Sequence, residues 1–259
     1  METITSAAPS GGALLRPDPD HVEARFVEAG GALRQVPWPR VADDVLLEEH
    51  SPVRRFPVRH GRRVAPGWWW SATSGRMVPY GSGVMRTQVM LLDRDPSVVA
   101  LACRPVELVW REGGRSVAHA PQVMARMADG SGLLLDCVGG SGPSARLVAR
   151  ARVASVAADA VGWRYRIVRP ADPVLVANVR WLAGYRHPRC AGGRLMSSVV
   201  AVFGRERPAV EGVREVGDPI AVWPVLFHAL WSGALSVRLD EPLHERALVS
   251  VTRAKGGVA

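Results

Sequence analysis

From Trp68 onward the apolar positions fall into runs whose spacing predicts the element each one forms. Val84, Val89 or Met90, and Leu92 are spaced for a helix over 84–93 that stops before Asp95 and Pro96. Runs at 98–103, 107–111 and 116–120 read as strands, the last two joined through Glu112, Gly113 and Gly114 as a hairpin turn. The stretch 133–138, LLLDCV, comes after an Asp129-Gly130 turn and reads as a central strand carrying one buried Asp. Gly and Ser break the pattern over 139–144; 145–160 is helical in composition and 163–168 is a further strand. The order helix, three strands, central strand, helix, strand predicts an α/β sandwich: a mixed sheet flanked by helices.

Beyond Pro170 and Pro173 the pattern turns helical, over 174–185, 195–203, a short 210–216 and 219–231. The last start is well specified, with Asp218 as N-cap and Pro219 at the first helical position. Short strands at 235–239 and 248–251 then close the chain, so this part predicts a winged helix, with a small helical cap and terminal hairpin as the plain alternative. At the other end, residues 1–20 are rich in Ser, Ala, Gly and Pro and are expected to be disordered. Prolines at 37, 39, 52, 57 and 66 interrupt the stretch from 21 to 66, which predicts a loosely structured or short-stranded extension. The expected division is an extension over 1–66, an α/β core over 67–170 and a helical unit over 171–259.

Composition narrows the class. At 259 residues, with 47% hydrophobic and 22% charged residues, the chain can bury a core of one large domain plus a small second one. No apolar run approaches the roughly 20 residues a bilayer requires, and the first 20 residues lack the basic and apolar pattern of a secretory signal. The expectation is a cytoplasmic protein without a membrane partner. Three cysteines, Cys103, Cys137 and Cys190, with no CxxC pair, build neither a disulfide framework nor a cysteine zinc site.

The formal charge of +9 points toward a polyanion such as nucleic acid. Only Lys255 among the basic residues is Lys and only Asn178 is Asn, the mark of a GC-rich coding sequence, so part of the arginine excess is codon bias. Basic and acidic groups balance over 1–66, while 67–168 and 169–259 carry the excess. Residues 50–66 still concentrate Arg54, Arg55, Arg59, Arg62 and Arg63 without an acid, opposite Asp43, Asp44, Glu48 and Glu49 upstream. This stretch reads as a phosphate-binding arm or as a solvated loop paired with those acids. Arg180, Arg186, His187 and Arg189 place cations near the end of a helix, where the dipole favours them and where phosphate contact is also open. The Trp68–Trp70 cluster is suited to stacking on bases or, more commonly, to pinning a segment to the core. His228, among Leu226, Phe227 and Leu230, reads as a satisfied core residue.

Several segments carry a family resemblance: GWWWSATSGRMVPYGS, VMLLDRDPSVV, AHAPQVMARMADGSGLLLDCV, DPVLVANVRWLAGYRHPR and VGDPIAVWPVLFHALW. Over about residues 67–251 the chain resembles the TnsA-like endonucleases, the DNA-cutting subunits of heteromeric transposases. The resemblance implies a restriction-endonuclease-like core followed by a winged helix, DNA and a transposase subunit as partners, and Mg²⁺ in active relatives. It also implies where the active positions lie: Gly81 where relatives have a metal-binding Glu after Tyr, Gln122 where they have Asp after His-x-Pro, Asp136 at the next ligand and Val138 at the basic position. Only Asp136 retains a carboxylate, so a two-carboxylate Mg²⁺ site is not assembled at these positions. The expected protein is a DNA-associated scaffold without metal, cofactor or cleavage, with Arg54, Arg55, Arg62, Arg63, Arg180, Arg186 and Arg189 as DNA contacts. The alternatives are cleavage with displaced ligands from Asp93, Glu107 or Asp129, a protein-docking adaptor, and a nucleotide-binding enzyme. The last rests on a G-x-G-x-x-A pattern at 140–145, weakened by Pro143 and by Arg169 where an acid is expected.

Overall fold

The structure is a computed structural model that describes residues 21–56 and 66–252. In chain order its elements are β1 (Glu23–Val27), β2 (Leu33–Pro37), α1 (Trp38–Asp44), β3 (Gly67–Ser71), β4 (Arg76–Tyr80), α2 (Gly83–Arg94) and β5 (Val98–Ala102). Next come β6 (Glu107–Glu112), β7 (Arg115–His119), β8 (Val123–Met127), β9 (Gly132–Cys137), α3 (Ala145–Ala160) and β10 (Arg164–Val168). The last part holds α4 (Pro173–Ala183), α5 (Arg194–Val202), β11 (Arg207–Pro208), α6 (Ala209–Val216), α7 (Pro219–Ser232), β12 (Leu235–Val237) and β13 (Leu248–Val251). The protein is mixed α/β. Among the described residues no helix is long and apolar enough to cross a membrane.

The central sheet runs β10-β9-β8-β5. β5, β8 and β9 are antiparallel neighbours, and β10 lies parallel to β9 because α3 carries the chain back across the sheet. β9 is buried along its whole length. Alternate residues therefore face different cores: Leu133 and Leu135 meet Met85 and Val89 of α2, while Leu134 meets Ala154 and Ala157 of α3. Helix starts are capped by short polar side chains. Ser82 accepts from Met85 N, Ser144 from Leu147 N, Asp172 from Val174 and Leu175 N, and Asp218 from Ile220 N.

A second antiparallel sheet runs β2-β1-β6-β7. The β6–β7 hairpin turns through Gly113 and Gly114, both at positive φ, as a tight two-residue turn requires. Over residues 21–56 the expected loosely structured or short-stranded extension holds two short strands and is built into this sheet and its core. Ala24 and Phe26 of β1, and Trp38 and Val41 of α1, share one apolar cluster with Leu108, Leu134 and Trp163. Trp38 is fully buried, donates its indole N–H to Ala157 O of α3 at 2.7 Å and meets the Trp163 ring edge-on. Prolines at 37 and 39 bracket the start of α1, where their fixed φ suits a helix entry.

Helices α4–α7 enclose a separate apolar core, closed by the three-stranded sheet β11-β13-β12. The β3–β4 hairpin joins this core to the central one, since Trp69 packs against both. Asp93, near the end of α2 and almost fully buried, holds the hairpin: its carboxylate accepts from Trp69 Nε1, Ser71 Oγ, Ala72 N and Thr73 N at 2.6–3.1 Å.

Trp38→Ala is expected to cost about 3–5 kcal/mol, the range for emptying a buried aromatic site, in a denaturant titration followed by circular dichroism. Unchanged stability would mean that residues 21–56 are an appendage rather than part of the core.

Candidate functional site

The four positions singled out in the sequence lie on elements that meet at one end of the central sheet. Gly81 precedes the N-cap of α2, Gln122 precedes β8, Asp136 lies on β9 and Val138 comes directly after it. Phe56 fills the space at Gly81: a Cβ built there would fall inside the contact surface of the Phe56 ring. The Arg104 guanidinium lies over the same ring, its Cζ 4.1 Å from the centroid. Arg104 in turn donates its backbone N–H to Gln122 O at 3.2 Å and accepts from Val53 N at 2.9 Å. Gln122 donates its backbone N–H to Leu135 O and its side-chain amide to Cys137 O. Gly81, Gln122 and the end of β9 therefore gather around Phe56 and Arg104.

Asp136 is buried, and its Oδ2 lies 2.6 Å from His119 Nε2 and 2.5 Å from the Tyr165 hydroxyl, which donates to it. One carboxylate oxygen thus ties β7 of the second sheet to β9 and β10 of the central one. Burial, followed by the charge and hydrogen bond of Asp136, holds the Tyr165 phenol above its ordinary range. Burial and then the same charge push the Cys137 thiol up to about 12. Val138 is buried and apolar, with its backbone N–H on Val168 O.

This donor set does not fit a divalent metal. Hard cations take several oxygen ligands at one point, whereas Gly81 offers none and Asp136 is tied to two protein donors. The other acids are also placed elsewhere. Asp93 holds the β3–β4 hairpin, the exposed Asp129 closes a turn onto Ser131, and Glu107 pairs with Arg25 at 3.2 Å and with Arg54. Among the described residues no group of three or more His, Cys, Asp and Glu side chains is arranged to hold a metal ion. The G-x-G-x-x-A loop is likewise a poor phosphate cradle. Gly142 spends its N–H on Gly139 O inside the loop, and Pro143 has none to offer.

The expected DNA contacts separate into three kinds. Arg180 on α4 and Arg189 in a short 3-10 turn are exposed, as are Arg54 and Arg55, although Arg54 is paired with Glu107. Arg62 and Arg63 lie outside the described residues. Arg186 is not a free surface cation. It donates from Nε to Trp70 O at 2.9 Å and from a terminal nitrogen to Ala183 O at 2.6 Å, with its Cζ 4.2 Å over the Trp69 ring. Burial lowers its pKa, partly offset by Asp93. Arg186 is therefore a clamp between α4 and the β3–β4 hairpin, and His187 adds to it by stacking on Trp70. Of the three tryptophans only Trp68 is largely exposed, at 65%. His228 is half-buried and bonds the Tyr185 carbonyl at 2.8 Å.

Two residues of the site gave no signal in the sequence. Phe56 sits at the edge of an arginine-rich stretch, and Arg104 is a single arginine in a chain that holds 32 of them. One backbone mark is visible only in three dimensions: among the described residues Arg104 is the sole non-glycine at positive φ, +50°. No protein-family model matches the chain, and no curated protein compared with it is a match.

Two outcomes test this geometry. Gly81→Ala should destabilise the protein, and adding Phe56→Ala should recover part of the loss, because the two share one volume; strict additivity of the two costs in a double-mutant cycle would contradict the contact. Tyr165→Phe addresses alkaline stability. A phenol and a thiol with raised folded pKa stay protonated in the fold, while the unfolded chain ionises from about their ordinary values of 10.0 and 9.0. Their contribution is full below that range and is lost as pH rises through it. The variant should lose about 1 kcal/mol at neutral pH through the missing hydrogen bond but decline less steeply above about pH 10; equal slopes for both proteins would contradict the assignment.

Proposed function

We propose that the protein is a DNA-associated relative of the TnsA-like endonucleases that does not cleave, built on a restriction-endonuclease-like core with a winged-helix unit behind it. The observation that carries this reading is the meeting of Gly81 and Gln122 around Phe56 and Arg104, beside the end of the strand that carries Asp136. These positions come from the start of α2, the start of β8 and the end of β9, which lie far apart in sequence. The resemblance assigns them to a single site, and the shared neighbourhood of Gly81 and Gln122 supports that reading.

The order of elements supports the same reading. Helix α2, strands β5, β8 and β9, helix α3 and strand β10 form a mixed sheet whose last pair alone is parallel. The β6–β7 hairpin, inserted between β5 and β8, is used to build the second sheet. Helices α4–α7 followed by β12 and β13 suit a winged helix, with β11 adding a third strand. Cleavage is absent from the proposal because the chemistry of the donors is absent: an in-line hydrolysis at such a site needs carboxylates to place the ion and a cation beside the attacking water. Here a glycine covered by a ring, an amide and a valine stand in those places.

What remains is binding through arginine and phosphate, which is dependent on salt and initially independent of sequence. A transposase subunit is the proposed protein partner, through the same resemblance.

Fluorescence anisotropy with a short duplex in EDTA is expected to show binding that weakens steeply with added salt, while a supercoiled plasmid stays intact in Mg²⁺ or Mn²⁺. Nicking would overturn the loss of cleavage, and no binding even at low salt would overturn the DNA association.

A further inference from the structure

The helical unit holds a cavity of about 440 Å³ between α4, α7 and the loop that joins β12 to β13. Its walls include Leu226 and Val249 and three aromatic side chains, Trp181, Trp223 and Phe227. The rings form one continuous surface, since Phe227 stacks on Trp223 with centroids 5.3 Å apart and meets Trp181 edge-on at 5.9 Å. Trp181 is 56% exposed, so a large apolar ring at this cavity is left in contact with water.

The loop beside the rings is fixed by the chain's own hydrogen bonds. Asn178 of α4 donates to the Leu239 and Glu241 carbonyls and accepts from Leu243 N. Val210 N donates to Glu245 O at 2.8 Å, and Ala209 N donates to Ala247 O at 2.9 Å. A wall held in this way need not be ordered when a ligand enters, which removes one of the usual costs of binding.

Charge decides what kind of ligand the cavity suits. Among the described residues no arginine lines it, and its one acid is Glu245, which is exposed and has no hydrogen-bond or ion-pair partner for its carboxylate. The nearby cations do not answer it. Arg238 is paired with Asp240 and Glu241, and His244 Nδ1 accepts from Arg246 N, which leaves the ring proton on Nε2 and the imidazole without a charge. Aromatic faces attract cations by their quadrupole, and a carboxylate beside them adds a full negative charge. A bare cation would leave the apolar walls wet, and a hydrocarbon would leave the carboxylate without a counterpart. The volume falls in the range of small-molecule sites, whose apolar walls carry a few polar groups that orient the ligand.

We propose that this cavity binds a small aromatic amine, with its ring against Trp181, Trp223 and Phe227 and its ammonium group on Glu245. The site is distinct from the one at Gly81 and Gln122, and its ligand does not depend on DNA association.

Calorimetric titration of the full chain with tryptamine and with indole-3-acetate separates ring from charge, because the two probes share an indole and differ in the sign of the charge. Tryptamine is expected to bind with a dissociation constant below about 1 mM, and indole-3-acetate about tenfold or more weakly than that. Glu245→Gln, at an exposed position, should bring the two probes within about twofold of each other. Ala177→Trp, on the exposed part of α4 that lines the cavity, should remove tryptamine binding by filling the space. Should that variant melt early, Trp181→Ala should weaken tryptamine about fivefold or more through the lost ring contact. No binding of tryptamine, equal affinity for the two probes, discrimination unchanged in Glu245→Gln, or tryptamine binding unchanged by the substitutions at 177 and 181 would each overturn the proposal.

Discussion

A ring and a side chain cannot occupy one volume, and at the start of α2 the ring has it. Phe56 lies so close to Gly81 that only a residue without a Cβ fits, and the surrounding arrangement depends on that contact. Val53, three residues before Phe56, bonds Arg104 O. That bond and the Phe56 ring together hold Arg104 where its charge meets the end of β9. The segment that delivers Phe56 is anchored in turn by β1 and α1, whose apolar side chains lie in the core beneath the second sheet. A stretch rich in proline and arginine is thereby part of the folded body, and it decides what the space at Gly81 can contain.

Buried polar groups supply the other ties, each with its hydrogen bonds made inside the fold. Asp93 accepts four hydrogen bonds from the β3–β4 hairpin. Asp136 joins three strands from two sheets through His119 and Tyr165. Asn178, the chain's single asparagine, donates to Leu239 and Glu241 carbonyls and accepts from Leu243 N, holding the loop between β12 and β13 against α4. Leaving any one of these groups without its partners would expose the desolvation cost that the network now offsets. The same logic marks Arg104 and Arg150, two half-buried arginines whose guanidinium groups have no hydrogen-bond or ion-pair partner among the described residues.

Legibility in the sequence tracked the signal each element carries. Helices α2, α3, α4 and α7 declare themselves by a capping Ser or Asp and an apolar stripe, and β9 by its unbroken apolar run. Strand β8 does not, because VMARM is buried on both faces and carries Arg126, whose guanidinium reaches Glu48 and stacks over Trp163. Strands β1 and β2 belong to a sheet completed by β6, which pairs with β1 from more than 80 residues away in sequence, and no local pattern records such a partner. Gly81, Gln122, Asp136 and Val138 were singled out together only by the family resemblance. Phe56 and Arg104 were not legible, since their importance lies in a contact between distant segments. Arg186 shows the opposite error, a cation placed by the sequence on a binding face that the fold uses as an internal clamp.

On the proposed reading no metal ion binds at this end of the central sheet, where Gly81 and Val138 offer no side-chain ligand and Asp136 is tied to His119 and Tyr165. Mn²⁺ tests that claim most directly, because a paramagnetic ion broadens the nuclear resonances of groups close to it. The Met85 methyl and the Gln122 side-chain amide lie there, since Met85 Sδ accepts from Gly81 N and the amide donates to Cys137 O. Titrating the intact protein with Mn²⁺ should leave both signals as sharp as those of distant groups such as Asn178. Selective broadening at micromolar Mn²⁺ would show that a metal binds there and would contradict the account.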